Sequence, residues 1–327
     1  MSNTNGLRDA GWGVFAHYLE SPPSSEYVSD TSADAWNARV DSFDVERLAA
    51  QLYEVGAGYF GLTIGQNSGH FCSPNATYDS FVGRSPSLCS RRDLIADVAD
   101  ALAARDIRFM AYLPSAAPEF DALAVEKLHW TKGAYRNADF QRRWEAVIRE
   151  WSERWGERVS AWWLDGCYWP DEMYHHDDAP NFATFAAALK AGNSDALVAF
   201  NPGVKTPIIS MTPHENFTAG ELDNALALGF ATPDCHFRPI EPSVQGRQFH
   251  ILTYLGASWA KGPPRFPVEM VRGYTDFVTK AGGAITWDVP ISDDGALPEE
   301  FMEQLRALPS TPRFNHQSIH APFLSSS

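Results

Sequence analysis

The chain has 327 residues and a formal net charge of −15, with 44% hydrophobic and 20% charged residues. This composition is typical of a globular protein with a large core and excludes an intrinsically disordered chain. The acidic balance leaves no basic face for phosphate groups, so we expect neither nucleic acid nor an anionic membrane as a partner. The 11 tryptophans and 20 phenylalanines fit either a large core or a carbohydrate-binding cleft.

Targeting signals and cofactor motifs are absent from the sequence itself. The first eight residues contain no apolar run, and no stretch is long and apolar enough to span a bilayer, so we predict a cytoplasmic protein. The four cysteines form no Cys-x-x-Cys pair, which argues against a zinc ribbon or a thioredoxin motif. We expect no metal and no cofactor, and the sequence leaves a homo-oligomer open.

Apolar runs of strand length alternate with helical patterns along the chain. The predicted strands cover 11–18, 59–64, 107–112, 159–164, 197–201, 217–221, 250–256 and 283–289, of which 217–221 is the weakest. The predicted helices cover 44–55, 91–105, 140–155, 181–191 and 267–280, with a last one that begins at Pro298. Pro267 is predicted to occupy the first helical position, where proline is favoured.

Eight strands that alternate with helices predict a (β/α)8 TIM-like barrel. One domain would cover 1–327, with 309–327 as a surface tail. A doubly wound sheet is the alternative, but no Gly-x-Gly-x-x-Gly follows the first strand and there is no Walker loop. In such barrels the active site lies at the carboxyl ends of the strands. The residues predicted there are His17, 65–70, Pro114, Asp165, Asn201, Glu221, Trp259 and Asp288.

The most informative stretch of the sequence is the fourth predicted strand, which ends in the carboxylate of Asp165. A strand would fix the position of this carboxylate. The aromatic residues around it, which offer flat faces for sugar rings, are Trp162, Trp163, Tyr168 and Trp169. The alternative is an ordinary core strand whose aspartate caps the next element.

Four motifs, taken in order and spacing, resemble a known enzyme family. They are Trp-Gly-Val-Phe-Ala-His-Tyr at 12–18, Trp-Leu-Asp-Gly at 163–166, Ala-Ser-Trp-Ala at 257–260, and Gly-Gly-Ala-Ile-Thr-Trp-Asp-Val-Pro at 282–290 followed by Asp-Gly-Ala-Leu-Pro-Glu-Glu at 294–300. They are similar to the motifs of glycoside hydrolase family 29, the retaining α-L-fucosidases. The resemblance runs from about 12 to 308 and covers the catalytic barrel.

The resemblance implies roles for individual residues. Retaining glycosidases use one carboxylate as nucleophile and a second carboxyl as acid/base, and the resemblance makes Asp165 the nucleophile. The segment at 216–221 resembles the family's acid/base segment, which favours Glu221 over the alternatives Glu215 and Glu172. His17, Trp163 and Trp259 are expected to bind substrate.

The sequence also departs from the family pattern in two places. The family's two histidines after the second strand are replaced, most simply by Gln66 and Asn67, which we expect to contact the sugar. The usual C-terminal β-sandwich does not follow the barrel. We therefore predict a retaining exo-glycosidase that turns over simple α-L-fucosides weakly and prefers a stereochemically related glycoside.

Two other functions remain open from the sequence. A non-catalytic sugar-binding barrel would keep the aromatic residues and lose a carboxylate. A metal-dependent barrel hydrolase would need a His-x-His pair after the first strand, where only His17 is found. The His-His-Asp-Asp run at 175–178 is interpreted as a solvated loop, because adjacent side chains seldom point at one ion.

Overall fold

One sheet of seven parallel strands dominates the computed structural model, which describes residues 6–21, 30–168, 175–224, 226–231 and 237–310. The seven strands are β1 (Trp12–Ala16), β2 (Tyr59–Thr63), β3 (Arg108–Pro114), β4 (Ala161–Asp165), β5 (Leu197–Phe200), β10 (His250–Tyr254) and β11 (Ala284–Asp288), in the spatial order β10-β11-β1-β2-β3-β4-β5. Two short antiparallel hairpins add β6 (Gly229–Ala231) with β7 (Phe237–Pro239) and β8 (Ser243–Val244) with β9 (Arg247–Gln248).

Helices follow the strands along the chain, as expected for an α/β fold. They are α1 (Gly6–Ala10), α2 (Ala33–Asp41), α3 (Val45–Val55), α4 (Ala76–Val82), α5 (Leu94–Ala103), α6 (Ala122–Lys127), α7 (Ala138–Trp155), α8 (Phe182–Leu189), α9 (Val268–Lys280) and α10 (Glu299–Arg306). This arrangement confirms the predicted α/β fold with a parallel sheet and is consistent with a TIM-like barrel. No helix among the residues described above is long and apolar enough to cross a membrane.

The weakest predicted strand, 217–221, forms isolated bridges instead of a regular ladder. Phe217 bridges in parallel to Gln248 of β9 and Glu221 to Leu252 of β10, and the backbone N–H of Asn216 donates to Val198 of β5 at 2.8 Å. Gly220 interrupts the extended backbone with a φ of +64°. A Cβ at that position would lie 1.8 Å from the carbonyl oxygen of His250. The segment therefore lies between β5 and β10, and closure with eight strands stays a prediction.

Several helices were not predicted, because they lie within polar, glycine-rich or short segments. The sequence feature that marks the start of three of them is the N-cap residue. The side chains of Ser32, Asn75 and Asp121 accept backbone N–H groups at the start of α2, α4 and α6, respectively. Pro267 is the N-cap of α9 and not its first helical residue, with an extended ψ of 153°. The helix therefore begins one residue later than predicted. The predicted tail lies outside the described residues from 311 on.

The side chains of the strands alternate between two apolar layers. Trp162 and Leu164 pack into the layer between sheet and helices, whereas Ala161 and Trp163 belong to a second cluster on the inner side of the sheet. Asp165 has the same parity as Trp163 and therefore faces the interior. The alternation of side chains along β4 thus places the carboxylate on the inner side of the sheet, at the carboxyl end of the strand.

Polar groups inside the sheet are paired with one another. His250 is fully buried; its Nε2 lies 2.7 Å from the hydroxyl of Thr286, which is also 2.8 Å from the hydroxyl of Tyr59. Burial lowers the pKa of His250 to about 4, so this histidine is neutral and structural.

The thiols of Cys72, Cys89 and Cys167 are buried and free, whereas Cys235 lies outside the described residues.

Candidate active site

The carboxylate of Asp165, at the carboxyl end of the sheet, accepts four hydrogen bonds. Its Oδ1 accepts hydrogen bonds from the backbone N–H of Gly166 at 2.7 Å, from the side-chain amide of Asn201 at 2.8 Å and from the hydroxyl of Tyr168 at 3.0 Å. Its Oδ2 accepts one from the hydroxyl of Tyr112 at 2.6 Å. Four donors fix the orientation of this carboxylate, as a nucleophile requires.

Tyr112 connects Asp165 to the loop that follows β2. The side-chain amide of Gln66 donates to the Tyr112 hydroxyl at 2.7 Å, and that hydroxyl donates to Asp165. The ring of Tyr112 stacks on Trp163 with ring centres 5.5 Å apart. Burial, followed by the charge of Asp165, raises the pKa of Tyr112 well above its usual value, so the phenol stays a donor at neutral pH.

Asn201 holds a second carboxylate next to the first. Its Nδ2 donates to Asp165 Oδ1 at 2.8 Å and to Glu221 Oε2 at 2.7 Å. The two carboxylate oxygens therefore lie no farther apart than 5.5 Å, the sum of these two distances. Since one amide nitrogen carries two N–H groups, both bonds form at once.

Glu221 is poised to carry a proton near neutral pH. Burial and, next, the charge of Asp165 raise its pKa to about 7, although the hydrogen bond from Asn201 lowers it. Two neighbouring carboxyl groups with different surroundings are the arrangement that separates acid and nucleophile in glycosidases. The geometry thus suits Glu221 as the proton donor.

His17 lies across the cavity from these carboxylates and is held by a buried partner. Its Nδ1 is 2.8 Å from Oδ1 of Asp288, which is fully buried. The other oxygen of Asp288 accepts the backbone N–H of Ala260 at 2.7 Å. The histidine ring also contacts the ring of Trp259 edge-on, with centres 5.9 Å apart. Asp288 thereby orients both the imidazole and the loop that carries Trp259.

These side chains line a small, partly open cavity of about 90 Å³. Its walls are formed by His17, Gln66, Trp163, Asp165, Tyr168, Glu221, Leu252 and Trp259. Of the predicted site residues, His17, Gln66, Trp163, Asp165, Glu221 and Trp259 thus come together around one space. Gln66 approaches it from β2, Glu221 from the irregular segment and Trp259 from the loop after β10.

Other predicted residues lie elsewhere. Asn67 lines a neighbouring cavity instead of the first one. Glu215, the alternative acid/base, is 3% exposed and accepts the backbone N–H groups of Phe200 and Met211, so it organises the loop after β5. Glu172 and Trp169 lie outside the described residues.

Tyr112 was the residue that sequence reasoning missed. It is the sixth residue of an apolar segment and has no polar neighbour in the chain. Tyr112 and Met110 are two residues apart on β3 and therefore point to the same, inner face of the sheet. Only this alternation indicates that the hydroxyl of Tyr112 reaches the site.

The described part of the chain holds no group of three side chains that could bind a metal ion. Asp178 of the 175–178 run instead pairs with Arg136 at 2.8 Å.

Comparison with known proteins gave similarity at the level of structure alone. No family model matches the chain, and no curated protein matches it. The endo-fucoidan hydrolase MfFcnA4 of glycoside hydrolase family 107 has a TM-score of 0.67 at 17% identity, over 94% of this chain. This chain spans only 54% of that protein's length.

Two further solved structures match over nearly their whole length. The endo-fucoidan hydrolase P5AFcnA of family 107 has a TM-score of 0.62 at 18% identity, with 94% of this chain and 92% of that chain covered. The α-L-fucosidase AlfC from Lactobacillus casei, in complex with its α-L-fucose product, has a TM-score of 0.62 at 14% identity, with 94% and 97% covered. At these identities the likeness shows a shared fold, one that is found in glycoside hydrolases.

The hydroxyl of Tyr112 is testable as a positioning group. We expect Tyr112→Phe to lower kcat by about 10- to 100-fold with little change in KM, because one preorganised donor to Asp165 is lost. Tyr59→Phe is the matched control, since it removes a buried, hydrogen-bonded hydroxyl away from the cavity. Steady-state kinetics and thermal unfolding of both variants separate the two effects. Equal kcat losses in both would contradict the assignment.

The pKa of Glu221 predicts the alkaline side of the pH profile. An acid with a pKa raised to about 7 is protonated below that pH and loses its proton above it. We therefore expect kcat/KM to fall as pH rises through about 7. Glu221→Gln should abolish this decline together with most of the activity on substrates with poor leaving groups. A decline that persists unchanged in that variant would assign it to another group.

Proposed function

We propose that this protein is a retaining α-glycosidase with Asp165 as nucleophile and Glu221 as acid/base. The single observation that supports this most strongly is the limit of 5.5 Å on the separation of the two carboxylate oxygens that Asn201 bridges. Retaining glycosidases hold their carboxyl groups about 5–5.5 Å apart, whereas inverting enzymes need about 6.5–9.5 Å to admit a water molecule.

In the first step Asp165 attacks the anomeric carbon of the bound sugar. The bond from that carbon to the glycosidic oxygen breaks, and Glu221 gives its proton to the departing oxygen. The product is a glycosyl ester of Asp165 and a free alcohol. Tyr112 and Asn201 hold the attacking carboxylate in place throughout, so little reorganisation is needed.

In the second step Glu221, now a carboxylate, accepts a proton from water. The oxygen of that water attacks the anomeric carbon, and the ester bond to Asp165 breaks. Two displacements on opposite faces return the starting configuration. Both carboxyl groups end the cycle in their original protonation states.

The substrate class follows from the likeness to fucose-acting hydrolases and from the departure at Gln66. The similar structures are those of endo-fucoidan hydrolases and an α-L-fucosidase, which favours an α-L-fucoside or a sugar of the same ring stereochemistry. Gln66 supplies an amide where the family carries histidine, and its N–H group is engaged by Tyr112. Its remaining amide atoms can hydrogen-bond to sugar hydroxyls, but in a geometry different from that of a histidine ring. Unlike histidine, the amide does not titrate.

The non-catalytic alternative is less well supported. A sugar-binding barrel has no use for a carboxyl group whose pKa is raised to about 7 beside a second carboxylate with four hydrogen-bond donors. Such pairs are costly and cluster at functional sites.

The nucleophile is tested by chemical rescue. Asp165→Gly should lower turnover of a 2,4-dinitrophenyl α-L-glycoside by about 1,000-fold or more, because the covalent step is lost. Added azide should restore release of the phenol and form a glycosyl azide of inverted configuration, detectable by NMR. Asp165→Asn is the control that fills the space without a nucleophile. Near-normal rates in either variant would show that Asp165 is not the nucleophile.

Substrate preference is tested by direct comparison. We expect 4-nitrophenyl α-L-galactoside to have a higher kcat/KM than 4-nitrophenyl α-L-fucoside, with 4-nitrophenyl β-D-galactoside inert. Replacement of the family's histidines removes hydrogen bonds whose loss costs about 1–3 kcal/mol each, enough for a large drop in fucoside turnover. A fucoside rate above that of the galactoside would contradict the argument from Gln66 and leave a plain fucosidase.

A further inference from the structure

A second cavity adjoins the first at the carboxyl ends of β2, β3 and β4. Its volume is about 320 Å³, and it shares three wall residues with the first cavity, namely Gln66, Asp165 and Tyr168. Its far wall is formed by Trp130, Glu119 and Lys132. The two cavities thus lie side by side along these shared walls.

The position of the second cavity relative to the catalytic pair sets which part of the substrate it can hold. A leaving group must depart beside its proton donor, on the face opposite the nucleophile. Glu221 lines the first cavity and is not among the residues that line the second. The shared wall instead includes the proposed nucleophile, Asp165. A sugar in the second cavity is therefore attached to the glycone and not to the leaving group.

The lining of this cavity suits an uncharged, hydroxylated ligand. Trp130 is 8% exposed, and its buried indole N–H has no acceptor among the described residues. Lys132 and Glu119 pair at 2.7 Å and add a donor and an acceptor at the rim. With Asp165 the lining has two carboxylates and one ammonium group, so it does not favour an anion. A pyranose ring can pack against the indole, and its hydroxyls can bond to both rim charges.

We infer that the second cavity binds a further neutral sugar residue on the glycone, so that the enzyme acts on an oligosaccharide chain. This rests on the proposed function, and it replaces the release of a single terminal sugar, which is the exo mode expected from the sequence, with the release of a longer product. A monosaccharide glycoside fills only the first cavity. Weak turnover of simple glycosides is then a consequence of an empty second site as well as of Gln66.

The test compares glycosides with the same scissile bond. Release of 4-nitrophenol is measured from 4-nitrophenyl α-L-fucoside and from its 2-O-, 3-O- and 4-O-α-L-fucosyl derivatives. We expect at least one disaccharide to exceed the monosaccharide in kcat/KM by about ten-fold or more. Trp130→Phe and the double variant Glu119→Ala/Lys132→Ala should each bring this ratio close to one and leave the monosaccharide rate within about two-fold.

The controls separate failure of this inference from failure of the proposed function. The double variant Glu126→Ala/Lys127→Ala removes an exposed ion pair on α6 and should leave the ratio unchanged. Turnover of the monosaccharide without any gain from a second sugar would overturn the second site alone. No release from any of the four compounds or from 4-nitrophenyl α-L-galactoside would count against the proposed function itself, and release from the galactoside alone would overturn a second site for fucosyl residues. A gain that survives both cavity variants would place the second sugar elsewhere.

Discussion

The amide of Asn201 is the interaction on which the rest of the site depends. Two carboxyl groups with oxygens within 5.5 Å of each other repel when both are charged, and the shared donor offsets part of that repulsion. Asn201 satisfies one oxygen of each group from a single nitrogen. The repulsion that remains adds to burial in raising the pKa of Glu221, so the same contact sets both the geometry and the protonation of the pair.

The parallel sheet supplies the other half of the arrangement. Alternate residues of β4 face inward, which places Trp163 beneath the cavity and Asp165 at its edge. The same alternation on β3 brings Tyr112 against Trp163 and under the carboxylate. Because the supporting side chains are nearly all buried, their rotamers are fixed by packing. The packed rings of Tyr112 and Trp163 thus support the polar groups that line the cavity.

How far the sequence predicts this molecule depends on the type of signal. The seven regular strands were found because apolar runs bounded by turns are unambiguous in a buried parallel sheet, and Asp165 was found because it ends one of them. Tyr112 was missed because no sequence motif marks it; it reaches the site only because its side chain points to the inner face of β3. Glu215 and Glu221 look equivalent in sequence, six residues apart. Only the fold shows that one accepts backbone N–H groups in a loop and the other meets Asn201.

Asn67 illustrates a different limit. Adjacent residues in a loop share a motif position in the sequence, yet Gln66 turns towards Tyr112 while Asn67 lines the neighbouring cavity. The family resemblance assigns both positions to the same sugar, since it compares letters in order and not directions in space. Side-chain direction in irregular backbone is set by local φ and ψ angles, which a single sequence does not determine.

Glu221 stands on a segment that joins the sheet through isolated bridges, whereas Asp165 stands on a fully paired strand. The two carboxylates are thus held in place by different means. Glu221 depends on the close packing around Gly220, where a Cβ would lie 1.8 Å from the carbonyl oxygen of His250. A side chain at 220 would therefore move Glu221 away from Asn201 while β4 keeps Asp165 in place.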